Sequence, residues 1–389
     1  MTWWESILPD GGIMLNSLKN TLLQHENKIV VSAWLISTIA YYFLFRIHTD
    51  LEAEKYISEA SNLLTNGKVS APRFYFYFST ISVISLSFLL KTGYVGAIVM
   101  QCIVNLFAYL LFFKALKKLF SHSLFPILII IYLLSFWPYQ SWIMFLYTES
   151  LFYSSILILT SVIIMCGFNG KNFLLIILCL AFAIISRPLG ILLVGSVIFS
   201  LFYYVNRFNK VRSTLILFGF SITAYWVINL ILSTISDWYI LKPFVEENII
   251  CNFPTKGINK NLVLTNHDSP LYELFYYISH NPTHFFSYIL IKLKYFFLLY
   301  RSYYSTTHNA FLLLNIIPIY FFALIGIIKN TIIPTYVFVY LIVSILFFTI
   351  AIVLQCDDWH NRFVLSIFPI ILILATTGII EFKKTIRKT

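Results

Sequence analysis

Apolar runs of close to twenty residues recur along this chain between short polar joints, and that pattern predicts helices long enough to cross a bilayer. In chain order the expected spans are residues 29–46, 94–113, 123–138, 149–168, 172–186, 188–205, 214–233, 308–328, 333–354 and 363–380. Runs such as FLLIILCLAFAII lack the alternation with a period of two that an outer-membrane strand needs, which argues against a barrel. The expected architecture is an all-α polytopic membrane protein with about ten transmembrane helices, within a range of roughly eight to twelve.

Two further apolar runs do not fit as spans. Taking 74–90 as a crossing would put Lys114, Lys117 and Lys118 outside, so this run is expected to lie on or dip into the outer face. The run 285–300 carries Lys292 and Lys294 at its centre, which suits an interfacial amphipathic helix. The chain then reads as one integral membrane domain over residues 1–389, with a cytoplasmic N-terminal segment at 1–28 and a first external loop with juxtamembrane helices at 47–93. A long external loop follows at 234–307, and a basic cytoplasmic tail at 381–389. Lys19, Lys28, Lys171, the NRFNKVR loop and Lys329 then fall on the cytoplasmic side with that tail.

Composition agrees: 59% of the 389 residues are hydrophobic and 11% charged, too apolar for a water-soluble domain. The net charge of +11 does not point to nucleic acid, because the basic residues sit at the ends of apolar runs and in short loops. No basic segment followed by an apolar one occurs in the first 28 residues, so no secretory signal is expected, and Met14 is a candidate alternative start. Cys102, Cys166 and Cys179 fall inside apolar runs, whereas Cys251 and Cys356 fall in loops and can pair if those loops meet in an oxidising compartment. No Cys or His spacing of a metal-binding type is present.

Against this background the stretch HTDLEAEKYISEASNLLTNG stands out, with Asp50, Glu52, Glu54 and Glu59 holding four of the sixteen acids. They follow the first span directly, close to the headgroups. Other polar residues fall on the same expected side: Glu149 in LYTESLF, Arg187 in SRPLGIL, Arg301 with the SYYSTTHN segment after it, and His360 and Arg362 in CDDWHNRF. Ionisable residues at membrane depth are costly and commonly functional, so their convergence suggests a pocket for an anionic or polyhydroxylated substrate. The plainer reading of the acids is a solvated helix start capped by Thr49, with acids in its first turn. For Arg187 and Arg362 the plainer reading is an interfacial anchor.

These pieces, in this order, resemble the GT-C superfamily of integral-membrane glycosyltransferases. YISEASNLLTNG is similar to the Tyr and small-residue helix of that family, which follows an acidic first external loop. FLYTESLFYSSILIL and LAFAIISRPLGILL are similar to segments of the GPI-type mannosyltransferases and their bacterial relatives, and HNRFVLSIFPIILILATTGI to the Arg-containing entry into a late Pro-bearing span. The family's acid usually stands four residues before the Tyr; here Glu52 holds that register, Asp50 is six before Tyr56 and Glu54 two before. Asp50 is the first choice for the base, as the one Asp of the stretch, and Glu52 the second.

The resemblance implies a polyprenyl-phosphate sugar donor, a glycolipid, glycan or protein acceptor bearing a hydroxyl, and transfer with inversion on the external face. A carboxylate takes the acceptor proton and cations hold the phosphate. Asp50 or Glu52 would be the base, Arg187, Arg301 and Arg362 the phosphate ligands, and Glu54, Tyr56, Glu149 and His360 further substrate contacts. Asp50 and Glu149 offer oxygen ligands for Mg2+ or Mn2+, a site left open beside a metal-free reaction. A bacterial plasma membrane is the expected location, with the endoplasmic reticulum membrane the eukaryotic counterpart. The alternatives are a polymerase of lipid-linked polysaccharide and a glycolipid flippase. A flippase is expected to carry charge within its spans, and these spans are nearly charge-free.

Overall fold

The computed structural model describes residues 24–387 apart from 122, 207–209, 212–213, 216–217, 220, 224, 227–228, 230–240, 252–258, 260 and 358–359. Among the described residues the chain is helical, with two isolated β-bridges and no strand. Among these residues seven helices are long and apolar enough to cross a membrane, or up to eight when one bent pair counts as a span. The protein is an all-α polytopic membrane protein.

Seven of the expected spans correspond to those seven helices. Of the others, 123–138 is the bent pair, and 172–186 is a shorter apolar helix. Most of 214–233 lies outside the described residues. The chain divides into two compact units, residues 1–190 and 191–389.

The first unit contains α1 (Glu26–Phe45), α2 (Glu52–Asn66), a 3-10 turn (Pro72–Tyr77), α3 (Phe78–Leu89) and α4 (Gly93–Leu119). It continues with α5 (Phe125–Ser135), α6 (Trp137–Gln140), a 3-10 turn (Ser141–Met144), α7 (Glu149–Cys166) and α8 (Gly170–Ser186). Its centre is α7, buried from Glu149 to Ile164. A helix apolar on every face has no solvent side, and α7 packs against both α4 and α8. Its serines do not oppose this burial: Ser154, Ser155 and Ser161 donate to the carbonyls of Ser150, Phe152 and Leu157 in the same helix.

The bent pair is broken by 70° between α5 and α6, where Pro138 cannot continue the hydrogen-bond ladder. At membrane depth the freed carbonyls need donors. Ser37 and Tyr41 of α1 both donate to Leu134 O, at 2.8 and 3.1 Å, and Trp142 Nε1 donates to Pro138 O at 2.9 Å. Amides and hydroxyls join the helices nearby: Asn105 Oδ1 accepts from Trp34 Nε1 at 2.9 Å and Gln140 Nε2 at 3.1 Å, and Tyr109 donates to Gln140 Oε1 at 2.8 Å.

The run 74–90, expected to lie on or dip into the outer face, is not among the spanning helices; within it α3 is twelve residues long and packs among α2, α4 and α8, burying Ser79, Thr80, Ile81, Ile84, Ser85 and Ser87. Its small residues allow that close packing on several sides.

The second unit contains α9 (Leu192–Asn206), α10 (Lys242–Val245), α11 (Pro270–His280), α12 (Pro282–Leu298), α13 (Thr306–Ile328), α14 (Thr335–Leu354) and α15 (Arg362–Ile386). Here α15 is central, buried from Val364 to Gly378. It meets α13 across Gly326 and Gly378, where a Cβ on either would strike the other helix's backbone, the close approach that small residues permit in membranes. The run expected as interfacial is α12, which turns Phe286, Leu290 and Lys294 outward and buries Lys292. The Lys292 ammonium donates to Val353 O at 3.1 Å and to Gln355 O, carbonyls at the end of α14. Burial lowers its pKa from 10.5 to about 7.

Candidate functional site

Backbone pairing brings the acidic loop to the start of α7. His48 N–H donates to Met144 O at 3.0 Å, and Leu146 N–H donates to His48 O at 3.1 Å. The imidazole of His48 stacks on Phe145 with centroids 4.2 Å apart. Tyr147 OH reaches the Asp50 carbonyl at 3.3 Å. This junction sets the entry of α2 beside the entry of α7.

The start of α2 differs from a Thr49 cap: the helix begins at Glu52, and Leu51 occupies the capping position at φ 55°. A positive φ is costly for a branched residue, and it turns the chain sharply between Asp50 and Glu52. The two candidate bases are thereby separated in character. Asp50 keeps 66% of its side chain exposed, 3.5 Å from His48 Nδ1. Glu52 is 22% exposed and accepts from Lys55 Nζ at 2.8 Å and Tyr56 OH at 2.9 Å. Glu54 is exposed. Glu59, on the same helix, is buried and accepts from the backbone N–H and hydroxyl of Ser70, closing the turn that follows the left-handed Gly67.

Tyr56 is fully buried, with its ring 5.4 Å from Tyr77 of the first 3-10 turn. Burial raises the pKa of Tyr56 well above 10, and Glu52, Tyr77 and Glu149 push it the same way while Arg187 opposes. Tyr77 is raised as well, by burial first, with Arg187 opposing and Glu52 and Glu149 adding. Glu52, Glu149 and Arg187 therefore all lie within electrostatic reach of the two tyrosines. Glu149 and Arg187 form a buried ion pair, Arg187 Nη1 donating to Glu149 Oε1. Above the two tyrosines Lys55 Nζ stands 4.8 Å from the Tyr56 ring and 5.6 Å from the Tyr77 ring. Exposed Arg73 also acts on Tyr77.

Of the residues singled out from sequence, Glu52, Tyr56, Glu149 and Arg187 come together, while Asp50 stands at the solvent-facing edge by His48. Tyr77 and Lys55 are additions. Lys55 was legible three residues after Glu52 on a helix face, whereas Tyr77 carries no local signal, since its place depends on the fold-back of the 3-10 turn. Among the described residues no three His, Cys, Asp or Glu side chains gather as metal ligands, and the Glu149 carboxylate binds Arg187.

Arg301, His360 and Arg362 belong to the second unit. Arg301 is completely buried: Nη2 donates to Asp357, and Nη1 donates to Tyr295 O at 2.9 Å and Tyr300 O at 3.2 Å. Its geometry is that of a structural clasp. Asp357 is held in turn by a bridge to Ile250 and by the adjoining Cys251–Cys356 disulfide, with Cα atoms 5.1 Å apart. His360 is exposed, and Arg362 is buried at the first position of α15.

A second cluster in this unit was not foreseen. Glu247 accepts from Asn259 Nδ2 at 3.0 Å and lies 3.3 Å from His284 Nε2, while His284 Nδ1 lies 2.6 Å from Tyr277 OH. These residues border a core of Leu241, Phe244, Ile249, Leu274 and Phe285, so the long loop has an interior of its own. Comparison with family models, with curated proteins and with solved structures returns no match to this chain.

Proposed function

We propose that this chain is a membrane glycosyltransferase of the GT-C type, with about ten spans, that moves a sugar from a polyprenyl-phosphate donor to a hydroxyl acceptor. The observation that carries this reading is the convergence of Glu52, Tyr56 and Tyr77 on the buried Glu149–Arg187 pair. Glu52 serves as base: it takes the acceptor proton as the acceptor oxygen bonds to the anomeric carbon and the carbon–oxygen bond to phosphate breaks. Tyr56 orients the carboxylate through its hydroxyl. Glu149, neutralised by Arg187, holds the floor of the site and positions Tyr56 and Tyr77.

A donor phosphate needs cations that it can reach. Arg187 and Arg301 are buried in ion pairs, which favours half-exposed Lys55 and exposed Arg73 beside the same tyrosines. The Cys251–Cys356 disulfide supports an oxidising compartment on that side of the second unit, and the basic last turns of α4 and of α15 each support a cytoplasmic end for their own helix. A bacterial plasma membrane with the site facing outward satisfies both.

The test is transfer by purified protein from a panel of radiolabelled polyprenyl-phosphate monosaccharides to membrane glycolipids. Glu52→Gln, Asp50→Asn and Glu149→Gln are run beside wild type. Transfer from one donor, lost in Glu52→Gln and retained in Asp50→Asn, is the expected result. No transfer from any donor would move the assignment to a polymerase or flippase.

A further inference from the structure

Helices α9 and α14 meet along a tight seam. Gly195 packs on Phe347, Ser200 Oγ donates to Tyr336 O at 2.6 Å, and Tyr204 meets Tyr336 edge-on at 5.5 Å between centroids. On one side of that seam the helices leave a groove of about 320 Å³ lined by Phe199, Phe202, Tyr203, Phe338, Ile342 and their neighbours. Both helices are apolar enough to span, so the groove lies at membrane depth.

An apolar hollow there has two physical fates. It stays empty and forfeits the dispersion contacts of its walls, or it takes up hydrocarbon. Water is no candidate, since the lining offers it at most a tyrosine hydroxyl. The bilayer supplies acyl chains in great excess at this depth.

The groove also sits near one end of the helix pair. Its lining lies within the last turns of α9, which ends at Asn206, and the first turns of α14, which begins at Thr335. Exposed Lys210 lies four residues past the end of α9, and exposed Lys329, whose charge also acts on Glu381 of α15, ends α13 six residues before α14. Cations at that end favour a negatively charged headgroup. Tyr203, 42% exposed, lies at the groove with an apolar ring and a hydroxyl, the combination suited to the boundary between chain and headgroup.

We propose that the groove between α9 and α14 is a binding site for one acyl chain of an anionic glycerophospholipid, whose headgroup meets Lys210 and Lys329. The site is independent of the glycosyltransferase reading.

Two measurements test it. In the first, protein in nanodiscs of mixed phosphatidylglycerol and phosphatidylcholine is transferred to detergent, and retained lipid is read by native mass spectrometry. Wild type is expected to keep phosphatidylglycerol, and Val339→Trp, which fills the groove, to keep about tenfold less. Lys210→Gln with Lys329→Gln is expected to remove the preference over phosphatidylcholine. In the second, wild type is photolabelled with phosphatidylglycerol carrying a diazirine on its acyl chain. Label is expected on residues 199–203 and 338–343. Label elsewhere with none on these segments would overturn the site, whether or not the filled variant folds. Undiminished retention by a folded Val339→Trp protein would do the same. Displacement of phosphatidylglycerol by an equal amount of polyprenyl phosphate would overturn the acyl-chain assignment in favour of an isoprenoid.

Discussion

Glu149 opens α7 with its carboxylate completely buried against Arg187, the residue that ends α8. A lone charge could not stay in that position, because its desolvation would exceed the rest of its interactions. Removing one partner is therefore expected to destabilise by about 3–5 kcal/mol, and removing both by appreciably less. Thermal unfolding in detergent of Glu149→Gln, Arg187→Gln and the double variant checks this. Additive losses would show that the pair is not coupled.

The tyrosines beside that pair respond to alkali. Their pKa values are raised in the folded protein above 10.0, chiefly by burial. The unfolded chain then releases protons first, and stability falls as pH rises above 10. Tyr56→Phe with Tyr77→Phe is expected to flatten this fall between pH 9 and about 11.5, with a loss of about 1.5–3 kcal/mol at neutral pH for the bond from Tyr56 to the Glu52 carboxylate. Midpoints of thermal unfolding across that range provide the readout.

Lys292 behaves in the opposite sense. With the folded pKa depressed from 10.5 to about 7, the unfolded chain holds more protons throughout that window, so this residue's contribution rises from pH 7 to 10.5 and is lost as pH falls through 7. Relative to Lys292→Met, wild type should gain in Tm between pH 7 and pH 9.5. A constant difference would mean that the carbonyls of Val353 and Gln355 hold the lysine charged.

Gly326 and Gly378 set the distance between α13 and α15. Alanine is the better helix former by about 1 kcal/mol, yet the added Cβ meets backbone that cannot rotate away. Each Gly→Ala change is expected to destabilise by about 1–3 kcal/mol net, seen as a lower Tm; a rise would show that the helices separate freely.

The disulfide joins residues 105 positions apart. Cys251→Ser is expected to cost about 2–4 kcal/mol, and reductant should lower the Tm of wild type while leaving the variant unchanged.

Local patterns in the chain determined a good deal. Runs of apolar residues specify spanning helices wherever they occur, because a backbone in lipid must satisfy its own hydrogen bonds within the segment. The bands 308–328, 333–354 and 363–380 thus appear as α13, α14 and α15, within two residues at every end but one, where α15 runs on to Ile386. The i, i+4 spacing of Glu52 and Tyr56 likewise made their contact readable. Partners distant in sequence were not. Arg301 was legible as a cation, but its clasp on Asp357 depends on two segments meeting. The exposure of Asp50 and the partial burial of Glu52 follow from the positive φ of Leu51 and from the pairing of His48 with Phe145, and the packing of α3 depends on which helices surround it. Hydrophobicity acts on each residue alone and can be read along the chain, whereas burial of a charge depends on which group folds against it, and only the tertiary structure decides that.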